Sequence, residues 1–155
     1  TLRGASLQWT TKLHKNLTYN GHVNYTYGVT RVEQIPVPSI LPWQGAQHLS
    51  ISNRRLNGQL SFVFAGQKRP EDFSDGGEDG LEETPIIGVS SITGENKYAG
   101  TPSWNRFDFR LTYNINANAK VGVDLYNLFD VHYKEFASGI SAPGRSLRLR
   151  LQHRF

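Results

Sequence analysis

The chain has 155 residues, 37% of them hydrophobic and 12% aromatic, and a formal net charge of +4. With no cysteine it can build no disulfide framework, zinc–thiolate site or thiol nucleophile, and no apolar run reaches the roughly 18 residues of a membrane-spanning helix. The positive charge is small and scattered, so nucleic acid is not expected as a partner.

Apolar and polar residues alternate along most of the chain, which is the period of strands with one apolar face. No segment shows convincing helical spacing. The first strand is expected at about residues 4–13, with Ala5, Leu7, Trp9 and Leu13 on one face. After a turn at residues 14–16, a second covers 17–31 and sets Leu17, Tyr19, Val23, Tyr25, Tyr27 and Val29 against Thr18, Asn20, His22, Asn24 and Thr26. The proline-rich EQIPVPSILPWQG reads as a loop. A third strand at 47–55 sets Leu49 and Ile51 against His48, Ser50 and Ser52. The Asn-Gly pair in LNG, at 56–58, signals a hairpin into a fourth strand at 59–66. Residues 67–103 read as one long irregular stretch rich in glycine, proline and acids. The fifth strand, 104–115, opposes Phe107, Phe109, Leu111, Tyr113 and Ile115 to Asp108, Arg110, Thr112 and Asn114. NANA turns it into a sixth at 120–129, with Val121, Val123 and Leu125 apolar. A loop at 130–145 leads to the last strand, 146–155.

The connections alternate short and long, so antiparallel pairing puts every short turn at one end and every long loop at the other. Transmembrane β-barrels have this asymmetry, and strands of this length can cross a bilayer with tilt. The fold class expected is therefore all-β, an antiparallel transmembrane β-barrel portion of about seven strands. Rings gathered towards strand ends (Trp9, Tyr25, Tyr27, Trp104, Phe107, Phe129 and Phe155) suit an interfacial girdle, so the apolar face is expected to meet lipid. Arg110, Arg148 and Arg150 then face the lumen.

The ending NLFDVHYKEFASGISAPGRSLRLRLQHRF, residues 127–155, closely resembles the C-terminal end of TonB-dependent outer-membrane receptors. The likeness is carried by Asn127-Leu128-Phe129-Asp130, by Tyr133, by Ala142-Pro143-Gly144-Arg145, and by an alternating last strand that stops on the aromatic Phe155. FASGISAPGR is most similar to receptors of the Bacteroidetes kind, and GTPSWNRFDFRLTYNIN fits as the third strand from the end. The resemblance covers about residues 103–155 strongly and the rest by its rhythm of strands and loops.

That resemblance implies a barrel of about 22 strands filled by a plug domain. It implies import of a scarce nutrient across the bacterial outer membrane, an iron–siderophore, haem or cobalamin type of ligand, with no covalent chemistry and no cofactor. The partners implied are outer-membrane lipid, the TonB complex through the plug, and the barrel-assembly machinery. The last strand serves that machinery as a signal, here Leu147, Leu149, Leu151 and Phe155 on the lipid side. With the end of the chain periplasmic, residues 32–46, 67–103 and 130–145 are extracellular. About fifteen strands and the plug are expected on the same or a second chain, because an open edge in lipid leaves backbone groups unpaired. The lack of methionine likewise suggests a processed chain or a piece of a longer one. Two other readings stay open: a stand-alone or multi-chain outer-membrane barrel with an adhesin or structural role, and a soluble lipocalin-like binder.

Catalytic motifs are not found. GISAP, at 139–143, begins like a nucleophile elbow but carries Pro143 where the final glycine belongs. Trp43, His132, Tyr133 and Phe136 are the candidates for ligand-facing loop residues. The acidic run PEDFSDGGEDGLEE offers Asp72, Asp75, Glu78 and Asp79 as calcium candidates, although its spacing is not that of an EF-hand.

Overall fold

The computed structural model describes residues 1–74 and 80–154. It is built of strands, with two short 3-10 turns at Pro70–Asp72 and Leu81–Glu83. Seven strands form one antiparallel sheet in near-sequential order: β1 (Leu2–His14), β2 (Leu17–Gly28), β3 (Gln44–Ser52), β4 (Leu56–Ala65), β7 (Trp104–Asn114), β8 (Ala119–Tyr126) and β9 (Ser146–His153). Between β4 and β7 a separate hairpin pairs β5 (Ile86–Val89) with β6 (Asn96–Tyr98). The expected strands are all present. The long stretch read as irregular holds this extra hairpin, whose strands are too short to show a period.

The alternation becomes rows of side chains across the sheet. One row runs Tyr19, Leu49, Leu60, Phe109, Leu125, Leu147 from β2 to β9. Its neighbour runs Leu17, Ile51, Gly58, Leu111, Val123, Leu149. On the other face, Thr18, Ser50, Gln59, Arg110, Asp124 and Arg148 lie in register. A one-residue slip in any pair would exchange these faces along that strand, so the pattern itself holds the register.

Among the described residues no second layer of the chain covers the apolar face. Leu147, Leu149 and Leu151 are 60%, 70% and 79% exposed. Among the described residues the buried hydrophobic ones are Ala46, Phe73 and Tyr133, and of these only Ala46 lies in a strand. A water-soluble sheet of this size would need a core that these residues do not supply, whereas a bilayer covers such a face directly.

Two of the short turns use the same device. Asn53 Oδ1 accepts from the backbone N–H of Arg55 and Leu56, at 3.0 and 2.8 Å. Asn116 Oδ1 accepts from Asn118 and Ala119, at 2.9 and 2.8 Å. These are Asx turns, in which the side chain stands in for a backbone carbonyl. The first corrects the expected hairpin: the turn is at residues 53–55, and Leu56–Gly58 lies inside β4. Gly58 is there for space, because a Cβ on it would lie 3.1 Å from Ile51 Cγ2 in the adjoining strand. β3 accordingly sits three residues earlier than the alternation suggested.

Candidate functional site

Three long connections meet at one end of the sheet: residues 29–43, 66–103 and 127–145. The last is held by its own side chains. Asn127 ends β8 in a left-handed conformation, φ 50°, and is 2% exposed. Its Nδ2 donates to the carbonyls of Val131 (2.9 Å) and Pro143 (3.3 Å), and its Oδ1 accepts from Val131 N (2.9 Å). Asp130, also left-handed at φ 55°, accepts from Arg145 N at 2.7 Å. Asn and Asp enter this conformation more readily than other L-residues and can bond locally from it. The NLFD motif and the APGR end of the loop are therefore two halves of one staple.

Tyr133 fixes the middle of the same loop. Its ring stacks on Trp104 at 4.2 Å, its backbone carbonyl accepts from Ala142 N at 2.8 Å, and its hydroxyl accepts from Arg106 Nη1. Arg106 Nε in turn lies 3.2 Å from Asp108 Oδ2, an ion pair without hydrogen-bond geometry. Asp108 Oδ1 accepts from Asn127 N at 2.9 Å. The loop is thus clamped to the polar face of β7 at two points.

The candidate ligand-facing residues are separated by the structure. Trp43 is about half exposed and packs on Phe64 at 5.2 Å, in phase with Gly45 and Gln47 on the apolar face. It begins a chain of rings, Trp43, Phe64, Phe62, Phe107, Phe129, with centroid spacings of 5.2, 5.4, 4.9 and 5.5 Å. That places it in a band of rings on the apolar face. Tyr133 is 5% exposed and already committed to Trp104 and Arg106. Phe136 lies 6.0 Å from Phe73, between loops. His132 stays exposed, with Nε2 3.0 Å from Ser141 Oγ. It lines a pocket of about 320 Å³ with Trp104, Tyr133, Lys134, Glu83 and Pro85. Lys134 Nζ donates to the Glu83 carbonyl at 3.2 Å across one wall of it.

Below the rim, the polar face of β7 to β9 carries Arg106, Arg110, Lys120, Arg148 and Arg150 against Asp108 and Asp124. Asp124 is 2% exposed and accepts from both Arg110 Nε (3.1 Å) and Arg150 Nη2 (2.9 Å) through the same oxygen. The two guanidinium side chains remain 54% and 43% exposed. Arg148 lies over the Tyr126 ring at 5.7 Å. This wall therefore presents cationic groups with spare hydrogen-bond donors. Sequence reasoning found Arg110 and Arg150 but missed Asp124 as their shared acceptor; its place on the polar face, in register with Arg110, is the signal that carries it.

Among the described residues no three histidines, aspartates or glutamates gather as a metal site. Asp72 closes the first 3-10 turn, and its N–H donates to the Arg69 carbonyl at 2.9 Å. Asp75, Glu78 and Asp79 lie outside the described residues, as does Phe155.

No protein-family description matches the chain, and no curated protein matches it either. Solved structures do. The copper transporter OprC superimposes with a TM-score of 0.75 at 17% identity, over 99% of this chain and 23% of that one. A variant of the ferric enterobactin receptor PfeA from Pseudomonas aeruginosa, solved in complex with enterobactin, gives 0.70 at 17% identity, over 98% of this chain and 22% of that one. The chain thus spans less than a quarter of the length of these structures. The seven-strand sheet shares its fold with a section of each of these two structures. That is the fold of the TonB-dependent receptors that the C-terminal motif resembles.

Proposed function

We propose that this chain is the C-terminal segment of the barrel of a TonB-dependent outer-membrane transporter, with the plug and the remaining strands supplied by further sequence or a second chain. One observation carries the reading most: the whole sheet, loops included, follows a section of such barrels, while its own apolar face has no protein cover. In this reading the apolar face meets lipid, the last strand engages the barrel-assembly machinery, and TonB acts through the plug.

The cargo is a scarce nutrient bound without covalent change. A metal complex is favoured, an iron–siderophore or haem, with cobalamin next. His132 beside Trp104 offers an imidazole and a flat apolar wall at the rim, and the arginines lower on the wall suit an anionic complex or the carboxylates of a plug. Trp43 belongs to the lipid boundary, and Tyr133 and Phe136 shape the loops that present His132.

The test is accumulation of radiolabelled ferric siderophores, haem and cobalamin by cells that carry or lack the gene, with and without a protonophore. Gene-dependent uptake of one ligand that stops with the protonophore is the expected result. Gene-dependent uptake that persists without proton-motive force sinks the TonB reading and favours a passive pore.

A further inference from the structure

Lys68 is buried, at 4% exposure, in the long loop between β4 and β7. Three separate segments converge on its ammonium. Nζ donates to the Ile40 carbonyl at 2.8 Å, in the β2–β3 loop. It lies over the Phe73 ring at 4.7 Å, in its own loop, and over the Phe136 ring at 4.1 Å, in the β8–β9 loop. The backbone of Lys68 is fixed as well. It exchanges hydrogen bonds with Thr101 at 3.0 and 2.9 Å, where the far end of the same long loop returns to the sheet. Gly100, at φ 74°, makes that approach possible, since a Cβ there would lie 2.2 Å from the Lys68 carbonyl.

The two outer loops are anchored very differently. The β8–β9 loop is stapled by Asn127 and Asp130 and clamped to the wall through Tyr133, three residues before Phe136. The β2–β3 loop is tied to itself and to the strand ends beside it: Thr30 N–H donates to the Ile35 carbonyl, Ile35 N–H to Thr30 Oγ1, Gln34 Nε2 to the Thr30 and Arg31 carbonyls, Val37 N–H to the Gly28 carbonyl, and Gly66 N–H to the Trp43 carbonyl. A single cation can serve two ring faces and a carbonyl from three directions, which no apolar side chain of the same length can do. We infer that Lys68 is the pin that makes the three long loops of this rim one mechanical unit, with the β8–β9 loop as the fixed post and the β2–β3 loop as the arm it holds. Displacing one loop, by ligand or by force from below, then displaces all three. The inference stands whatever the cargo is.

Hydrogen exchange on the purified native protein in detergent tests this. Lys68→Met keeps the length of the side chain and removes the charge. Exchange in residues 36–43 should rise about tenfold and in residues 133–142 far less, with the β7–β8 amides still protected. A rise confined to residues 66–74 overturns the inference. Should Lys68→Met unfold the protein, Phe136→Leu decides. It should speed exchange several-fold in residues 36–43, which Lys68 links to Phe136 through the Ile40 carbonyl, and no change there overturns the inference. Lys68→Arg, which keeps a cation, should restore most of the protection lost in Lys68→Met.

Discussion

The wall and the rim of this molecule are held by different physics. In the wall, stability is repetitive: each strand pairs along most of its length, and each side chain is one of a row of similar neighbours. In the rim it is singular: one asparagine, one aspartate, one tyrosine and one lysine each hold a loop that has no ladder of its own. The wall should therefore tolerate exchange within a face and resist exchange between faces. The rim should be sensitive at particular atoms and indifferent next to them.

The largest effect expected is a change of face. Leu149→Arg puts a guanidinium beside Val123 at the β9 end of the row Leu17, Ile51, Gly58, Leu111, Val123. If lipid covers that row, the cost is about 2–4 kcal/mol near the bilayer midplane. Arg150→Leu, one residue on and facing the other way, gives up bonds to Asp124 and Thr112 from a side chain already 43% exposed. Folding into lipid vesicles, followed by the gel-mobility shift of folded barrels, should fall far more for the first. Equal losses would mean that the apolar face is not the lipid face.

Next comes the rim. Asn127→Ala removes three side-chain hydrogen bonds and leaves the Val131 N–H and two carbonyls without their partner. It also puts alanine in a left-handed conformation. Together these should cost about 2–4 kcal/mol locally. The loop should become a protease target between residues 131 and 143 while the strands stay paired. Global unfolding instead would show that rim and wall are not separable.

Why the wall was legible and the rim was not follows from the same contrast. A period of two is written into every strand, so faces, strand number and the alternation of turn and loop could be read directly. The β3–β4 turn slipped because its Asn-Gly pair obeys a strong local rule that Asn53 pre-empts by taking two backbone donors. In the rim, Trp43 and Tyr133 are aromatic loop residues like any other until long-range packing assigns one to Phe64 and the other to Trp104. Lys68 carried no sequence signal, since its partners lie 28 and 68 positions away in the chain.

A smaller effect tests the lumen side of the wall. Asp124→Asn keeps one acceptor oxygen but removes the charge shared by Arg110 and Arg150. Because both arginines are about half exposed, the stability cost should stay near 1 kcal/mol. The consequence should be electrostatic: two less-compensated guanidiniums strengthen the cationic wall. Binding of an anionic cargo or plug segment should tighten at low salt, with the gain fading as ionic strength rises. A salt-independent change would point to altered packing in place of charge.

The smallest effect separates the aromatic residues by face. Trp43→Ala removes a ring that leans on Phe64 at the outer boundary, while His132→Ala removes an exposed imidazole bound to Ser141 beside the Trp104 pocket. If cargo binds on the inner side of the rim, Trp43→Ala should leave its affinity unchanged within about twofold and lower thermal stability slightly, since interfacial ring contacts are worth roughly 0.5–1.5 kcal/mol. His132→Ala should do the reverse, weakening cargo binding several-fold with little change in stability. Titration of both variants with the transported ligand reads this directly. Were Trp43→Ala the one to lose affinity, the binding surface would have to wrap over the rim onto the apolar side, and Trp43, Tyr25 and Tyr27, which line one cleft there with Ile40 and Lys68, would become its wall.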